Sequence, residues 1–160
     1  LKENAMLYAL LKTLHLLAIV IWVGGMFFAH CALRPALDTL DPPARLRLMH
    51  AVLSRFFAHV LAASVIAWIT GLWMIGRTAK LAVTSGGQFA MPLDWSIMSA
   101  LGTAMVLIFF VIRFRFFPRL AQAVSAADWP TAGGAMALIR RWVGINLVLG
   151  LVIIVVTLLY

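Results

Sequence analysis

Residues 12–35 read KTLHLLAIVIWVGGMFFAHCALRP, and from Leu14 to Leu33 the stretch carries no Asp, Glu, Lys or Arg. At about 1.5 Å of rise per residue, a helix of that length crosses the roughly 30 Å hydrocarbon core of a bilayer. His15 lies near its start and His30 near its end, with Trp22-Val23-Gly24-Gly25-Met26 between them. An imidazole inside a membrane helix is costly without a partner. The stretch therefore sets both the fold and the functional question.

Three further windows have the same character: Phe56–Gly76, Trp95–Ile112 and Trp142–Tyr160. Backbone facing lipid must satisfy its polar groups internally, so each window reads as a helix. The expected fold is an all-α integral membrane protein. A single domain over residues 1–160 forms an up-and-down bundle with spans near 8–34, 51–77, 93–117 and 138–160. Composition agrees, since 64% of the 160 residues are apolar and 11% charged, against about half and a quarter in ordinary globular domains. Residues 1–5 read as an upstream remnant, and the first apolar run is too long and too lightly flanked for a cleaved signal peptide.

The net charge of +8 sits at the ends of the apolar runs. It therefore reports orientation and argues against nucleic acid as a partner. Arg34, Arg45, Arg47 and Arg55 lie between spans one and two. Arg113, Arg115, Arg119, Arg140 and Arg141 lie between spans three and four, and the other ends hold only Lys2, Lys12, Arg77 and Lys80. The positive-inside rule then places both termini in the periplasm of a bacterial inner membrane. Asp41-Pro42-Pro43 and Asp128-Trp129-Pro130 each offer a capping carboxylate before a proline, the pattern of a helix start. Ala79–Pro92 reads as an irregular external loop. The lone cysteine, Cys31, excludes an intrachain disulfide and a multi-cysteine cluster.

A weak internal repeat emerges when Pro35 is set beside Pro118, which pairs His15 with Met98 and His30 with Arg113. Setting Asp41 beside Asp128 pairs His59 with Asn146. The halves are then parallel repeats about an axis along the membrane normal.

His30, His59 and Asn146 share a depth, each roughly 6–8 Å inside the arginine that ends its span. On the first helix His15, Ala18, Trp22, Met26 and Ala29 recur on one face, with Gly24 and Gly25 removing bulk beside it. Met98, Gly102, Met105 and Phe109 form a similar face on the third. Such faces serve close helix packing, and they also suit the flat edge of a porphyrin. Two arrangements for haem b follow: His15 with Met98, or His30 paired with His59, the latter with Arg34, Arg55, Arg113 and Arg115 near the propionates and Asn146 at matching depth. Copper competes, because His, Met and Cys are its soft ligands and Met26, Met98 and Cys31 stand beside the histidines. No nucleophile, base or phosphate cradle stands at a meaningful spacing.

Lys12-Thr13-Leu14-His15-Leu16-Leu17 running into Trp22-Val23-Gly24-Gly25-Met26-Phe27-Phe28 resembles the opening helix of the copper-resistance protein D (CopD) domain. Arg55-Phe56-Phe57 with Gly71-Leu72-Trp73-Met74 is similar to its second helix. Phe117-Pro118-Arg119-Leu120, Asp128-Trp129-Pro130, Ile139-Arg140-Arg141 and Asn146-Leu147-Val148-Leu149-Gly150 are similar to its second half. The resemblance implies a role in copper uptake. The same superfamily includes HemJ-type protoporphyrinogen oxidases, whose Lys-x-x-His and Trp-x-x-Gly elements match Lys12, His15, Trp22 and Gly25, and it implies iron ligation by His15. The favoured expectation is a membrane protein that binds haem b and passes electrons, with quinone as a redox partner. The alternatives are copper transport or resistance, and a structural subunit whose histidines only tie helices together. A homodimer is compatible with each.

Overall fold

In the computed structural model, residues 2–159 are described, with side chains from residue 5 onward. Leu1, which opens the segment read as an upstream remnant, and Tyr160, which ends the fourth span, lie outside the described residues. Four helices are long and apolar enough to cross a membrane: α1 (Ala5–Thr39), α2 (Pro42–Thr84), α3 (Leu93–Ser125) and α4 (Trp129–Leu159). Each runs past its charge-free window and into an end that bears arginine or lysine.

The capping sequences explain where the helices start. Asp41 Oδ2 accepts the Ala44 N–H at 3.1 Å, and Pro42 sits in the first turn, where its missing N–H costs nothing. Asp128 Oδ1 likewise accepts the Thr131 N–H at 3.2 Å and starts α4. The irregular segment expected over Ala79–Pro92 is shorter, because α2 continues to Thr84. Ala79, Lys80, Leu81 and Ala82 have no reason to leave a helix, and the stop comes at Gly86, whose φ is +81°. There the Gly87 N–H reaches the Ala82 carbonyl at 3.0 Å and the Gly86 N–H the Val83 carbonyl at 3.1 Å, the paired bonds of a left-handed helix cap. The same bonds end α3, from Asp128 to Ala123 and from Ala127 to Val124, but here a non-glycine residue, Ala127 (φ 55°), holds the left-handed position.

The outward surfaces are greasy. Leu16, Leu17, Val20, Ile21, Phe27 and Phe28 on α1 are exposed, as are Val148, Leu151, Val152 and Val155 on α4. Apolar surface on that scale suits lipid rather than water. Lipid tails are as apolar as leucine, so close packing must hold the helices together. Two glycines permit it. A Cβ on Gly25 would overlap the Phe56 ring, and one on Gly150 would sit 2.9 Å from Val23 Cγ2 and 3.2 Å from Met105 Cε. The space beside Gly25, which the sequence also left open to a porphyrin edge, is filled by Phe56.

An aromatic spine joins three helices. Trp22 meets Phe109 edge-on at 6.1 Å, Phe109 meets Phe57 at 5.8 Å, and Phe57 meets Phe117 at 5.3 Å. His50 then stacks on Phe117 at 5.4 Å. Edge-to-face geometry matches the positive ring edge of one partner to the negative face of the other.

The halves are related as the prolines suggest. Two five-residue π-helical segments, Ala29–Leu33 and Ile112–Phe116, stand at the same offset from one another as Pro35 and Pro118. At that offset buried Trp22 matches buried Met105, Met26 matches Phe109 and Leu37 matches Leu120. On the second helix of each half the buried faces match as Leu46 with Ala132, Met49 with Ala135, Leu53 with Ile139, Val60 with Asn146 and Ser64 with Gly150. This register differs by one residue from the one set by the two aspartates. His59 is therefore not the counterpart of Asn146: one residue turns a helix by about 100°, which leaves His59 exposed and Asn146 buried.

Candidate functional site

His15 is half-buried on α1 and faces Thr70 of α2, with Nδ1 3.0 Å from Thr70 Oγ1. The Thr70 hydroxyl has one proton, and its oxygen lies 2.6 Å from its own helix's Ile66 carbonyl. The hydroxyl donates there, so its lone pair accepts from His15 Nδ1–H. That arrangement favours the tautomer with the proton on Nδ1, which carries a lone pair on Nε2, the form of histidine that ligates a metal. Gly71 makes the approach possible, since a Cβ there would stand 3.2 Å from His15 Cε1.

The stripe read below His15 is the buried face of α1: Ala18, Trp22 and Met26 are each no more than 4% exposed. Its counterpart on α3 is buried at Met105 and Phe109, and the two stripes meet where Trp22 packs on Phe109. Met98 is half-buried toward the start of α3, and no described contact joins it to His15. Asn146 enters the same layer from α4. It is 1% exposed and donates through Nδ2 to the Met105 carbonyl at 3.2 Å. Its Oδ1 is a buried acceptor without a donor, and Trp22 Nε1 is a buried donor without an acceptor. These two orphaned atoms are of complementary kind, in a core where buried polar groups are normally paired.

The second arrangement read from the sequence does not form. His59 is exposed and its Nδ1 pairs with the Arg55 carbonyl of its own helix at 2.8 Å. His30 lies against α4, where a Cβ on Gly144 would sit 3.4 Å from its Cε1. The two imidazoles are thus engaged by different neighbours despite their similar depth, because depth fixes position along a helix and not the direction around it. The arginines set beside them also diverge. Arg34, Arg55 and Arg115 are exposed. Arg113 lies with its guanidinium 5.5 Å from both the Phe114 and Phe117 rings and with Nε buried and unpartnered.

Three features were missed at the level of sequence. Thr70 looked like any span residue, although its spacing from the Gly71 notch could have marked it. His50, half-buried on Phe117, lies among arginines and so was absorbed into a loop. A cavity of about 300 Å³ opens at the arginine-rich end between the starts of α2 and α4. Among the described residues no group of three or more His, Cys, Asp or Glu side chains could hold a metal ion.

Comparison with known proteins agrees with part of this picture. Nothing matches the chain among curated proteins or among solved structures. The family model for copper resistance protein D matches residues 50–160, which takes in α3, α4 and nearly all of α2 with Thr70, Gly71, Met105 and Asn146, and leaves out α1 with His15. That match covers more than two thirds of a chain with four apolar helices of membrane-spanning length, and the protein belongs to the CopD copper resistance family.

Proposed function

We propose that this protein handles copper within the membrane, with His15 Nε2 as one station for Cu(I) and the thioethers of Met26 and Met105, about 16 Å further along α1, as a second. The observation that supports the reading is the 3.0 Å contact of His15 Nδ1 with the Thr70 hydroxyl, which favours a lone pair on Nε2. Soft thioether and imidazole donors favour Cu(I), whereas carboxylate and carbonyl oxygens favour harder ions. Met26 and Met105 are buried at 2% and 3% exposure, in the layer where the two halves meet. Every carboxylate lies outside the charge-free windows of the four helices. Family membership supports copper over other cargo.

The test is a Cu(I) titration of the detergent-solubilised protein against a chromogenic chelator. Stoichiometric binding is expected, weakened by His15→Ala and by Met26→Leu with Met105→Leu. Protein that leaves all the copper on the chelator would refute the proposal. The haem reading uses the same Nε2 and is separated by its spectrum: a Soret band after expression with haem supply, lost in His15→Ala, would favour iron porphyrin instead.

A further inference from the structure

The cavity of about 300 Å³ at the arginine-rich end belongs to none of the chemistry above. Arg34 from α1, Arg45 from α2 and Arg140 from α4 stand around it, with Asp38 as the acidic residue in its wall. Asp38 is already engaged, since Arg45 Nη1 donates to its Oδ1 at 2.7 Å. Two positive charges, those of Arg34 and Arg140, remain without a counter-ion in the cavity wall. No described hydrogen bond or salt bridge uses either guanidinium. The starts of α2 and α4 both border the space, at Pro42 and Trp129; their N-termini are already capped by Asp41 and Asp128, so the guanidinium groups carry the positive potential.

The floor is of the opposite kind. Leu37, Leu46 and Met49 are buried there, with Trp129 and Met136 beside them. The fit is to an amphiphile whose anionic head meets guanidinium while its ester region rests on apolar side chains. The cavity also lies where the apolar windows give way to arginine, at the level of the lipid headgroups. Basic pockets between membrane helices on the positively charged side bind acidic lipid headgroups, and arginine matches phosphate oxygens in a bidentate fashion.

We propose that this cavity is a binding site for the phosphodiester headgroup of one acidic glycerophospholipid, held by Arg34 and Arg140. Arg45 is tempered by Asp38 and contributes less. The lipid clasps α1, α2 and α4 together at the end where their packing is otherwise open to solvent.

The full-length protein is reconstituted in nanodiscs holding equal phosphatidylglycerol and phosphatidylcholine, released into mild detergent and weighed by native mass spectrometry. Wild-type protein should retain phosphatidylglycerol in preference. Arg34→Gln and Arg140→Gln should each reduce that preference about fivefold and together by roughly thirtyfold, the effect of losing one and two interfacial arginines. Asp38→Asn should raise it, whereas Arg119→Gln, outside the cavity lining, should leave it unchanged. Helix content by circular dichroism verifies that each variant folds. Equal retention of the two lipids by wild type, or unchanged retention by the double variant, overturns the proposal. Displacement of phosphatidylglycerol by millimolar inorganic phosphate would assign the cavity to a free anion, and that too overturns it.

Discussion

Replacing Thr70 with valine tests the copper proposal through a residue that need not touch the metal. The change keeps volume and branching but removes the acceptor 3.0 Å from His15 Nδ1. His15 then has two courses. It can keep its Nδ1 proton and leave a half-buried donor unpaired, at a cost of about 1–3 kcal/mol. Alternatively it can move the proton to Nε2, which takes the ligating lone pair away. Either course weakens the metal complex, and second-shell losses of this kind lower metal affinity about 10–100-fold. That corresponds to about 1.4–2.7 kcal/mol at roughly 1.4 kcal/mol per decade. The assay is competitive Cu(I) titration of wild type, Thr70→Val, Thr70→Ser and His15→Ala. Thr70→Ser restores the hydroxyl and should bind nearly as wild type. If Thr70→Val binds copper like wild type while His15→Ala does not, Thr70 does not hold His15 in its ligating form and the reasoning is refuted.

Gly150→Ala should lower the unfolding temperature in detergent, because its Cβ meets Val23, whose branched side chain is stiff on a helix. Overpacking costs about 1–3 kcal/mol, and removing a helical glycine returns no more than about 1. Gly24→Ala, with nothing within 4 Å of its Cβ, serves as the control and should be neutral or mildly stabilising. Ala127→Gly should stabilise by about 0.5–1 kcal/mol, since the left-handed conformation at φ 55° penalises a Cβ by more than glycine's added freedom costs. Asp128, in the same turn, is held below its ordinary value of 3.8 by hydrogen bonds from the Thr131 hydroxyl and backbone N–H. Its contribution is therefore complete above that ordinary value and disappears as pH falls through the lowered folded value. Asp128→Asn keeps a capping oxygen, so the acid limb of an unfolding-temperature profile should flatten while stability at neutral pH changes little.

Much of the fold was legible because membrane helices announce themselves twice, by missing charge and by charged ends. Asp41 and Asp128 marked helix starts for the same reason: a carboxylate before a proline has few other uses. What stayed hidden depends on rotation about helix axes. His59 and His30 share a depth, yet one bonds its own backbone and the other lies on Gly144, and hydropathy carries no phase for a helix that is apolar all round. The π-helical segments at Ala29–Leu33 and Ile112–Phe116 have no strong sequence signal, and each shifts the face presented by the residues after it. The buried stripe of α1 was legible at Ala18, Trp22 and Met26, which are each no more than 4% exposed. Thr70 was not, because its role exists only once α1 and α2 are packed.

The connections between helices differ in slack. Thr39 and Pro42 bracket the turn from α1 to α2, and Ser125 and Trp129 the one from α3 to α4, whereas Thr84 and Leu93 are joined by residues 85–92. In the second tight turn one residue does two jobs: the Asp128 N–H closes the end of α3 and its carboxylate opens α4. The end of α3 and the start of α4 are thus tied through one residue. Mechanically the protein is two hairpins joined by the longer connection, with Trp22 against Phe109 and Phe57 against Phe109 and Phe117 as the bearing surface between them. Under the copper proposal, an ion moving between the two stations passes as one hairpin rocks on the other, with the bend taken up by residues 85–92. Spin-label distances between α3 and α4 should then stay constant when copper is added, while those between α1 and α3 change. Movement within a hairpin instead would rule this mechanics out.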